Sequence, residues 1–277
     1  MSRIYCHGSA RMEPLYCKRQ ILLAVLLLLL NVPASGWGRE GHETVTRIAE
    51  RHLTAKAKKN IARYLDGHTI TYYAKWMDEY RSTPEYSYTD GWHVAPVNSD
   101  LVYADSLLTK KGNAIYGLEQ AVKALGDYRK LPDSLVALNI RFIIHLVADM
   151  HCPAHIKYES HEMKYDVYFE DAYHKPHKFY VHHVWDNEII HVSRVWSPAE
   201  WAGEIDILSR SKVKEMAAGT PREWLHDNAV RCEVQFEWTS PDRQLGQDFL
   251  NKALPLVETQ LLYAGYRLAG LLNGLFG

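Results

Sequence analysis

The segment SLVALNIRFIIHLVADMHCPAH, residues 134–155, decides the fold. Its apolar residues are so numerous that a helix formed by them must be buried on most sides. His145 and Asp149 are four residues apart, so both project from one face of that helix. Pro153 ends the helix and turns the chain, and His155 follows two residues later. A polar pair in so apolar a helix is costly unless a mutual hydrogen bond or a shared ion satisfies it.

Helical periodicity continues on both sides of this segment. The further helical segments are 42–65, 113–125, 198–217, 221–238 and 248–276. Pro198 and Pro221 stand near helix starts, where the missing N–H costs nothing. Strand-like alternation is confined to YDVYFED (165–171) and FYVHHV (179–184). The sequence therefore predicts an all-α fold, a single compact and mostly helical domain with at most a small β-hairpin.

The start of the chain has the pattern of a signal peptide. Residues 21–30 are apolar without a break, follow Lys18 and Arg19, and precede the small residues of PASG. The run is shorter than the roughly 20 residues that a membrane-spanning helix needs. We therefore expect cleavage after Gly36 and a secreted or periplasmic domain of residues 37–277. An uncleaved N-terminal anchor is the alternative, and translation can start at Met1 or at Met12.

Charge and cysteine content narrow the function. Lys and Arg number 32 against 33 Asp and Glu, and the leader contains more basic than acidic residues, so residues 37–277 are mildly acidic. This balance argues against a cationic face that clamps duplex DNA regardless of sequence. Of the four cysteines, Cys152 and Cys232 lie outside the leader. Export permits a disulfide between them, and two free buried thiols are the other possibility.

A second His–Asp pair points to metal binding. His182 and Asp186, in HHVWD, have the same spacing of four as the first pair. One such pair alone is commonly a surface ion pair. Two pairs close to His155 favour a bound cation instead. Nitrogen and oxygen ligands of this kind suit Zn²⁺. Two further fragments, WMDEYR with Asp78 and WHVAPV with His93, add an acid and an imidazole beside tryptophan. Each of these two alone is typical of a packed core.

Taken in order, W-G-x-x-G-H, W-x-D-x-x-R, W-H, H-x-x-x-D-x-H-x-P-x-H and H-x-x-W-D resemble the zinc-dependent S1/P1 nuclease family, relatives of the bacterial zinc phospholipases C. The resemblance covers nearly all of residues 37–277. It implies a mostly helical fold with three Zn²⁺ ions at the bottom of a cleft. The implied substrate is single-stranded DNA, RNA or a nucleotide, and the implied product has a 5′-phosphate, with removal of 3′-terminal phosphates as a further activity. No stable protein partner is implied.

The resemblance also implies a ligand set. The first zinc would be bound by His42, Asp149 and the α-amino group and carbonyl oxygen of Trp37. The second zinc would be bound by Asp78, His93, His145 and Asp149, with Asp149 bridging the two ions. The third zinc would be bound by His155, His182 and Asp186. The expected catalytic residues are Asp78, Arg81 and Asp149, with Arg81 donating to the charge that develops on the phosphate.

Two features depart from the family pattern and leave the substrate open. Pro96 occupies the place of an acid that usually assists the attacking water, and residues 156–181 occupy the place of a Gly-Gly-Asn loop that helps to hold a nucleobase. A phospholipase C-type hydrolase is one alternative, although the zinc phospholipases end their ligand series in H-x-x-x-E, whereas this chain has Asp186. A secreted zinc-binding protein without turnover is the other alternative.

Overall fold

The computed structural model describes residues 37–277. The expected signal peptide, residues 1–36, lies outside the described residues, and its cleavage stays a prediction. The described chain is mostly helical, which confirms the predicted fold class. Its α-helices are α1 Arg39–His52, α2 Ala55–Tyr64, α3 Trp76–Tyr80, α4 Ala114–Leu125, α5 Asp133–Asp149, α6 Val181–His183, α7 Ile189–Ser193, α8 Pro198–Ile205, α9 Arg210–Ala217, α10 Pro221–Cys232, α11 Gln235–Trp238 and α12 Gln247–Phe276. A π-helical turn, Val184–Glu188, joins α6 to α7.

Helix α5 lies in the core, as its apolar sequence predicts. Residues such as Ile140, Ile143 and Leu146 are fully buried. Helices α1 and α12 pack along each other next to it. Gly265 permits their close approach, because a Cβ atom there would lie 2.4 Å from Cγ2 of Ile48. These long helices form the frame of the site.

Three of the predicted helical segments are each divided in the structure. Segment 42–65 breaks at Leu53 and Thr54, between α1 and α2. Segment 198–217 breaks at residues 206–209, where Ser209 caps the start of α9, and segment 221–238 breaks after Cys232. The predicted helix starts are confirmed, since Ser197 and Thr220 form capping boxes directly before prolines at the first helical positions.

Within residues 37–277, five short strands form two small sheets, more than the one hairpin expected. The strands are β1 Ala95–Val97, β2 Ile156–Tyr158, β3 Asp166–Glu170, β4 Pro176–Tyr180 and β5 Gln244–Leu245. Strands β3 and β4 form the predicted antiparallel hairpin, and β5 adds to it in parallel. The segment FYVHHV is a strand only up to Tyr180, because α6 begins at Val181.

The parallel pair β1–β2 positions two histidines. Ala95 pairs with Ile156, so the chain segments that precede the two strands meet at the same end of the sheet. His93 lies two residues before β1, and His155 lies directly before β2. A three-residue strand with no alternation pattern of its own is not visible in the sequence, which is why this pairing was not predicted.

Two remaining expectations concern cysteines and membranes. Cys152 and Cys232 are both buried and free, so the structure favours two thiols over a disulfide. Within residues 37–277, no helix has both the length and the apolar content needed to cross a bilayer.

Candidate metal centre

The nine expected ligands converge in space, although they come from seven separate parts of the chain. They lie at the start of the described chain, in α1, in α3, at the end of the 3₁₀-helix Ser87–His93, in α5, and on both sides of the β2–β4 excursion: Trp37, His42, Asp78, His93, His145, Asp149, His155, His182 and Asp186. All are buried or nearly so; the side chain of His182 is the most exposed of the histidines and carboxylates, at 12%.

We call the three groups of expected ligands the first, second and third pocket, after the zinc ion that each would bind. The second pocket contains Asp78, His93, His145 and Asp149. Asp149 Oδ2 lies 2.9 Å from His93 Nδ1 and 3.2 Å from His145 Nε2. Asp78 Oδ1 lies 3.6 Å from each of the same two nitrogens. Two atoms that bind one zinc ion tetrahedrally at about 2.0–2.1 Å are about 3.3 Å apart, so this spacing fits a shared ion.

A hydrogen bond to the backbone fixes the orientation of the His145 ring. Its Nδ1 donates a hydrogen bond to the carbonyl oxygen of Ala74 at 3.1 Å, which turns Nε2 toward the pocket. A histidine that donates one N–H to a backbone carbonyl presents the other nitrogen as a ligand, which is the usual arrangement at metal sites. The His145 ring also stacks on the His42 ring, with centroids 4.3 Å apart.

The first pocket contains Trp37, His42 and Asp149. His42 Nε2 lies 3.2 Å from Asp149 Oδ1, and His42 Nδ1 lies against the carbonyl oxygen of Trp37. Both His42 Nε2 and Asp149 Oδ1 are buried without a hydrogen-bond partner in the described part of the chain. Orphaned polar atoms in a protein interior are expensive, and a cation between them would satisfy both. Asp149 thus faces the first pocket with one oxygen and the second with the other.

The third pocket contains His155, His182 and Asp186. The two imidazole Nε2 atoms lie 3.1 Å apart, and each lies within 3.5 Å of an oxygen of Asp186. His155 Nδ1 donates to the carbonyl oxygen of His93, which is a consequence of the β1–β2 pairing. Its other nitrogen therefore faces the pocket. Since His155 Nδ1 also lies 3.8 Å from Asp149 Oδ2, the third pocket is next to the second.

The electrostatics of the pockets favour cations. Burial by itself lowers the pKa of His145, but the carboxylates of Asp149 and Asp78 outweigh it and raise the pKa to about 10. In the same way burial lowers the pKa of His155, and Asp149 and Asp186 raise it to about 9. Burial raises the pKa of Asp149, and the neighbouring histidines more than reverse this effect and hold it well below its usual range. Three buried carboxylates therefore require positive charge beside them, and zinc ions would supply it.

Arg81, the third expected catalytic residue, caps the end of α3 and is 7% exposed. It lies three residues after Asp78, so both side chains belong to one side of a short helix. Lys75 lies at the other end of α3, and its Nζ contacts the carboxylate of Asp78. The sequence interpretation missed Lys75, although its spacing of three from Asp78 is a usable signal.

The sequence interpretation also missed Cys152. Its Sγ is fully buried and donates to Asp186 Oδ1 at 3.0 Å, inside the group formed by Cys152, His155 and Asp186. The signal was the CPAH stretch, which places a thiol three residues before His155, one of the expected ligands.

The two departures from the family pattern are visible in the structure. Pro96 lies in β1, opposite Lys157 of β2, and carries no group that can accept a proton. The β3–β4 hairpin occupies the chain between His155 and His182. This hairpin exposes Tyr168 and Tyr180, so its surface differs from a glycine-rich loop.

Comparison with known proteins is consistent with this geometry. A family model described as S1/P1 Nuclease matches residues 37–277. Endonuclease 4 of Arabidopsis thaliana is 25% identical over 93% of this chain and 95% of its own length. Nuclease P1 of Penicillium citrinum is 24% identical over 87% of this chain and 98% of its own, and nuclease S1 of Aspergillus oryzae is 22% identical over 92% and 97%. The match to the family model begins at Trp37, the residue expected to follow the cleavage site.

Proposed function

Since this chain belongs to the S1/P1 nuclease family, a family of zinc-dependent enzymes that hydrolyse phosphoester bonds, we propose that it is a secreted phosphodiesterase for single-stranded DNA and RNA. It would act with three Zn²⁺ ions held by the nine ligands of the three pockets. The observation that carries the proposal is the position of Asp149. One carboxylate that faces two adjacent pockets, beside a third, is an arrangement for a cluster of ions and not for one structural ion.

Each protein group has a role that follows from its place. When bound, zinc ions lower the pKa of a coordinated water to about 7 and offset the charge of a phosphate. Asp149 would hold the ions of the first and second pockets with its two oxygens, and Asp78 would hold the ion of the second pocket with its Oδ1. Arg81 and Lys75 place two positive charges at the two ends of α3, where they would stabilise the negative charge that grows on the phosphate oxygens.

With Pro96, the site lacks the proton-accepting side chain that an acid at this position would supply. A carboxylate at this position would accept the proton of the attacking water, and the proline ring cannot. We infer that the proton passes to solvent or to the substrate phosphate, and that turnover is slower than in a relative with the acid. General-base catalysis contributes about 10²–10⁴-fold, which sets the scale of the expected loss.

The second candidate function follows from the same residue. If Pro96 abolishes turnover, the chain is a secreted zinc-binding protein with an intact set of ligands. A phospholipase C-type activity has less support, because the family match and the names of the relatives are those of nucleases.

One assay series separates these functions. Purified, zinc-loaded protein is incubated with single-stranded DNA, RNA, duplex DNA and phosphatidylcholine, and zinc per chain is measured by elemental analysis. We expect cleavage of both single strands to products with 5′-phosphates, much slower cleavage of the duplex and no release of lipid head groups. Pro96→Asp should raise the rate. Three zincs with no cleavage of any nucleic acid would leave the zinc-binding function, and fewer than three would contradict the proposed cluster.

A further inference from the structure

The residue before the 3₁₀-turn Pro153–His155 points into the third pocket. Cys152 caps this turn, and its Sγ lies 3.0 Å from Asp186 Oδ1. His155, three residues later, has its Nδ1 committed to the carbonyl oxygen of His93 and its Nε2 in the pocket. The thiol, one imidazole nitrogen and one carboxylate oxygen all lie within 4.8 Å of one another. One tight turn thus supplies two potential ligands, as a C-x₂-H pair.

Cys232 provides the comparison, because it is the other buried thiol in residues 37–277. Cys232 lies at the end of α10, fully buried, outside each group of metal-binding side chains found in residues 37–277. Cys152 is equally buried but has a carboxylate as its acceptor and two imidazole nitrogens facing the same carboxylate. A thiol placed beside one imidazole nitrogen and one carboxylate oxygen has the composition of a zinc site, and His182 lies beside the same two groups.

We propose that Cys152 is a ligand of the third zinc ion, so that this site is Cys-His-His-Asp and not His-His-Asp alone. The proposal rests on the proposed function, since it needs an ion in the third pocket. On binding, the Sγ–H bond breaks, the proton leaves to solvent, and the sulfur binds the ion as a thiolate. Asp186 Oδ1, which had accepted the S–H hydrogen bond, becomes available to the same ion.

Two consequences distinguish this site from the other two. A thiolate and a carboxylate together would neutralise the charge of one Zn²⁺ in the third pocket. The third ion should therefore be released last when chelator is added. Thiolate is also a soft ligand, which favours zinc over manganese or magnesium at this position.

Cobalt substitution tests the proposal without an activity assay. Purified protein is titrated with Co²⁺, and its absorption is recorded from the near ultraviolet to the visible. A cobalt–thiolate bond gives an intense near-ultraviolet charge-transfer band, which nitrogen and oxygen ligands do not give. We expect the band to saturate at one thiolate-bound Co²⁺ per chain while visible d–d bands report the other ions.

Two variants assign the band and allow for a folding defect. Cys152→Ser should lose the band and retain the third ion at least about tenfold more weakly. The matched control Cys232→Ser, which changes the other buried thiol, should keep the band. Cys152→Asp, which retains an anionic ligand, should bind three Co²⁺ ions without the band.

The outcomes separate the two proposals. Three bound Co²⁺ ions without a charge-transfer band would overturn the thiolate ligand and leave the proposed function intact. A band that survives Cys152→Asp would also overturn it. A protein that binds no Co²⁺ and no Zn²⁺ would overturn the proposed function, and this inference with it.

Discussion

At the scale of single residues, the position of Asp149 makes the sharpest prediction. Asp149→Asn keeps the size of the side chain but replaces one oxygen by an amide nitrogen, which cannot ligate zinc, and removes the charge shared by two pockets. We expect zinc content to fall from three to about one per chain and the cleavage rate to fall by more than about 10²-fold. Elemental analysis and an assay on single-stranded DNA measure the two effects.

Asp78→Asn is the matched control for this variant. Asp78 faces only the second pocket, so its loss should cost one ion where the loss of Asp149 costs two. Equal zinc content in the two variants would show that Asp149 does not bridge.

The site residues that the sequence indicated differ from Cys152 in how unusual their burial is. His145 and Asp149 were visible because a charged pair in an apolar helix is expensive and therefore informative. Cys152 was not singled out as a ligand, because a free cysteine is among the residue types most often buried for packing alone. The direction of its Sγ depends on the turn at Pro153, and spacing in the sequence alone does not supply this direction.

At the scale of secondary-structure elements, the contact between α1 and α12 depends on one glycine. In Gly265→Ala the new methyl group would overlap Ile48 and push the two helices apart. Overpacking of this kind costs about 1–3 kcal/mol in the free energy of unfolding. Urea unfolding of the zinc-loaded protein measures this loss.

Gly270 of the same helix provides the control. A Cβ atom there would meet Ala217 Cβ at 3.6 Å, which is an ordinary contact. Gly270→Ala should therefore stabilise the protein by about 0.5–1 kcal/mol through helix propensity alone. If both alanine variants change stability equally, close packing at Gly265 is not what holds α12 on α1.

A second prediction at this scale concerns pH. Asp206, which follows α8, accepts hydrogen bonds from Arg51 and His52 of α1 and from Tyr266 of α12. Burial by itself raises the pKa of Asp206, but these hydrogen bonds outweigh it and hold the pKa below its usual value. The stabilisation is therefore present above a pH of about 4, the unfolded value, and is lost as the pH falls toward the lower folded value.

The variant Asp206→Asn tests this direction of the pH dependence of stability. At pH 7 it should unfold more easily than the wild type by about 1.5–3 kcal/mol, the usual cost of losing hydrogen bonds to a charged group. The difference should shrink as the pH is lowered below 4, because the wild-type carboxyl then becomes protonated. Urea unfolding of both proteins at each pH gives this difference, and a gap that widens in acid would contradict the assignment.

The helices themselves were easier to predict from the sequence than the contacts between distant elements. The long helices have strong periodicity, and the capping boxes at Ser197 and Thr220 have a local signature, so both could be read from the sequence. The β1–β2 pair depends on a contact between residues about 60 positions apart in the sequence. No local pattern encodes such a contact, although it is what places His155 beside His93.

At the scale of the whole molecule, the first described residues lie against the site. The Trp37 side chain is fully buried, and Gly38 N–H donates to the carbonyl oxygen of Asp186 at 2.8 Å. A Cβ atom at Gly38 would overlap the side chain of Asn187, so this segment fits closely against the third pocket. The ligand role expected for Trp37 comes only from the family resemblance, because composition and periodicity do not indicate that a terminal amine binds a metal.

We predict that removal of residues 1–36 is coupled to metal binding. After cleavage at Gly36, the α-amine of Trp37, with an ordinary pKa of about 7.7–8.0, would lose its proton and bind zinc. In a recombinant form that begins at Gly36 the same nitrogen is an amide, which is not a zinc ligand. We expect this extended form to bind one zinc fewer than the form that begins at Trp37 and to cleave single-stranded DNA at least about tenfold more slowly.

Trp37→Phe, expressed with phenylalanine as its first residue, separates the amine from the indole ring. It retains the amine and the carbonyl oxygen but loses part of the buried side chain, so it should bind three zincs and unfold more easily, by about 1–3 kcal/mol. The extended form should show the opposite pattern, with a retained ring and a missing ion. Zinc content and urea unfolding of the two proteins therefore distinguish coordination from packing. Three zincs and full activity in the extended form would show that the terminal amine is not a ligand and that the first pocket binds its ion through His42 and Asp149.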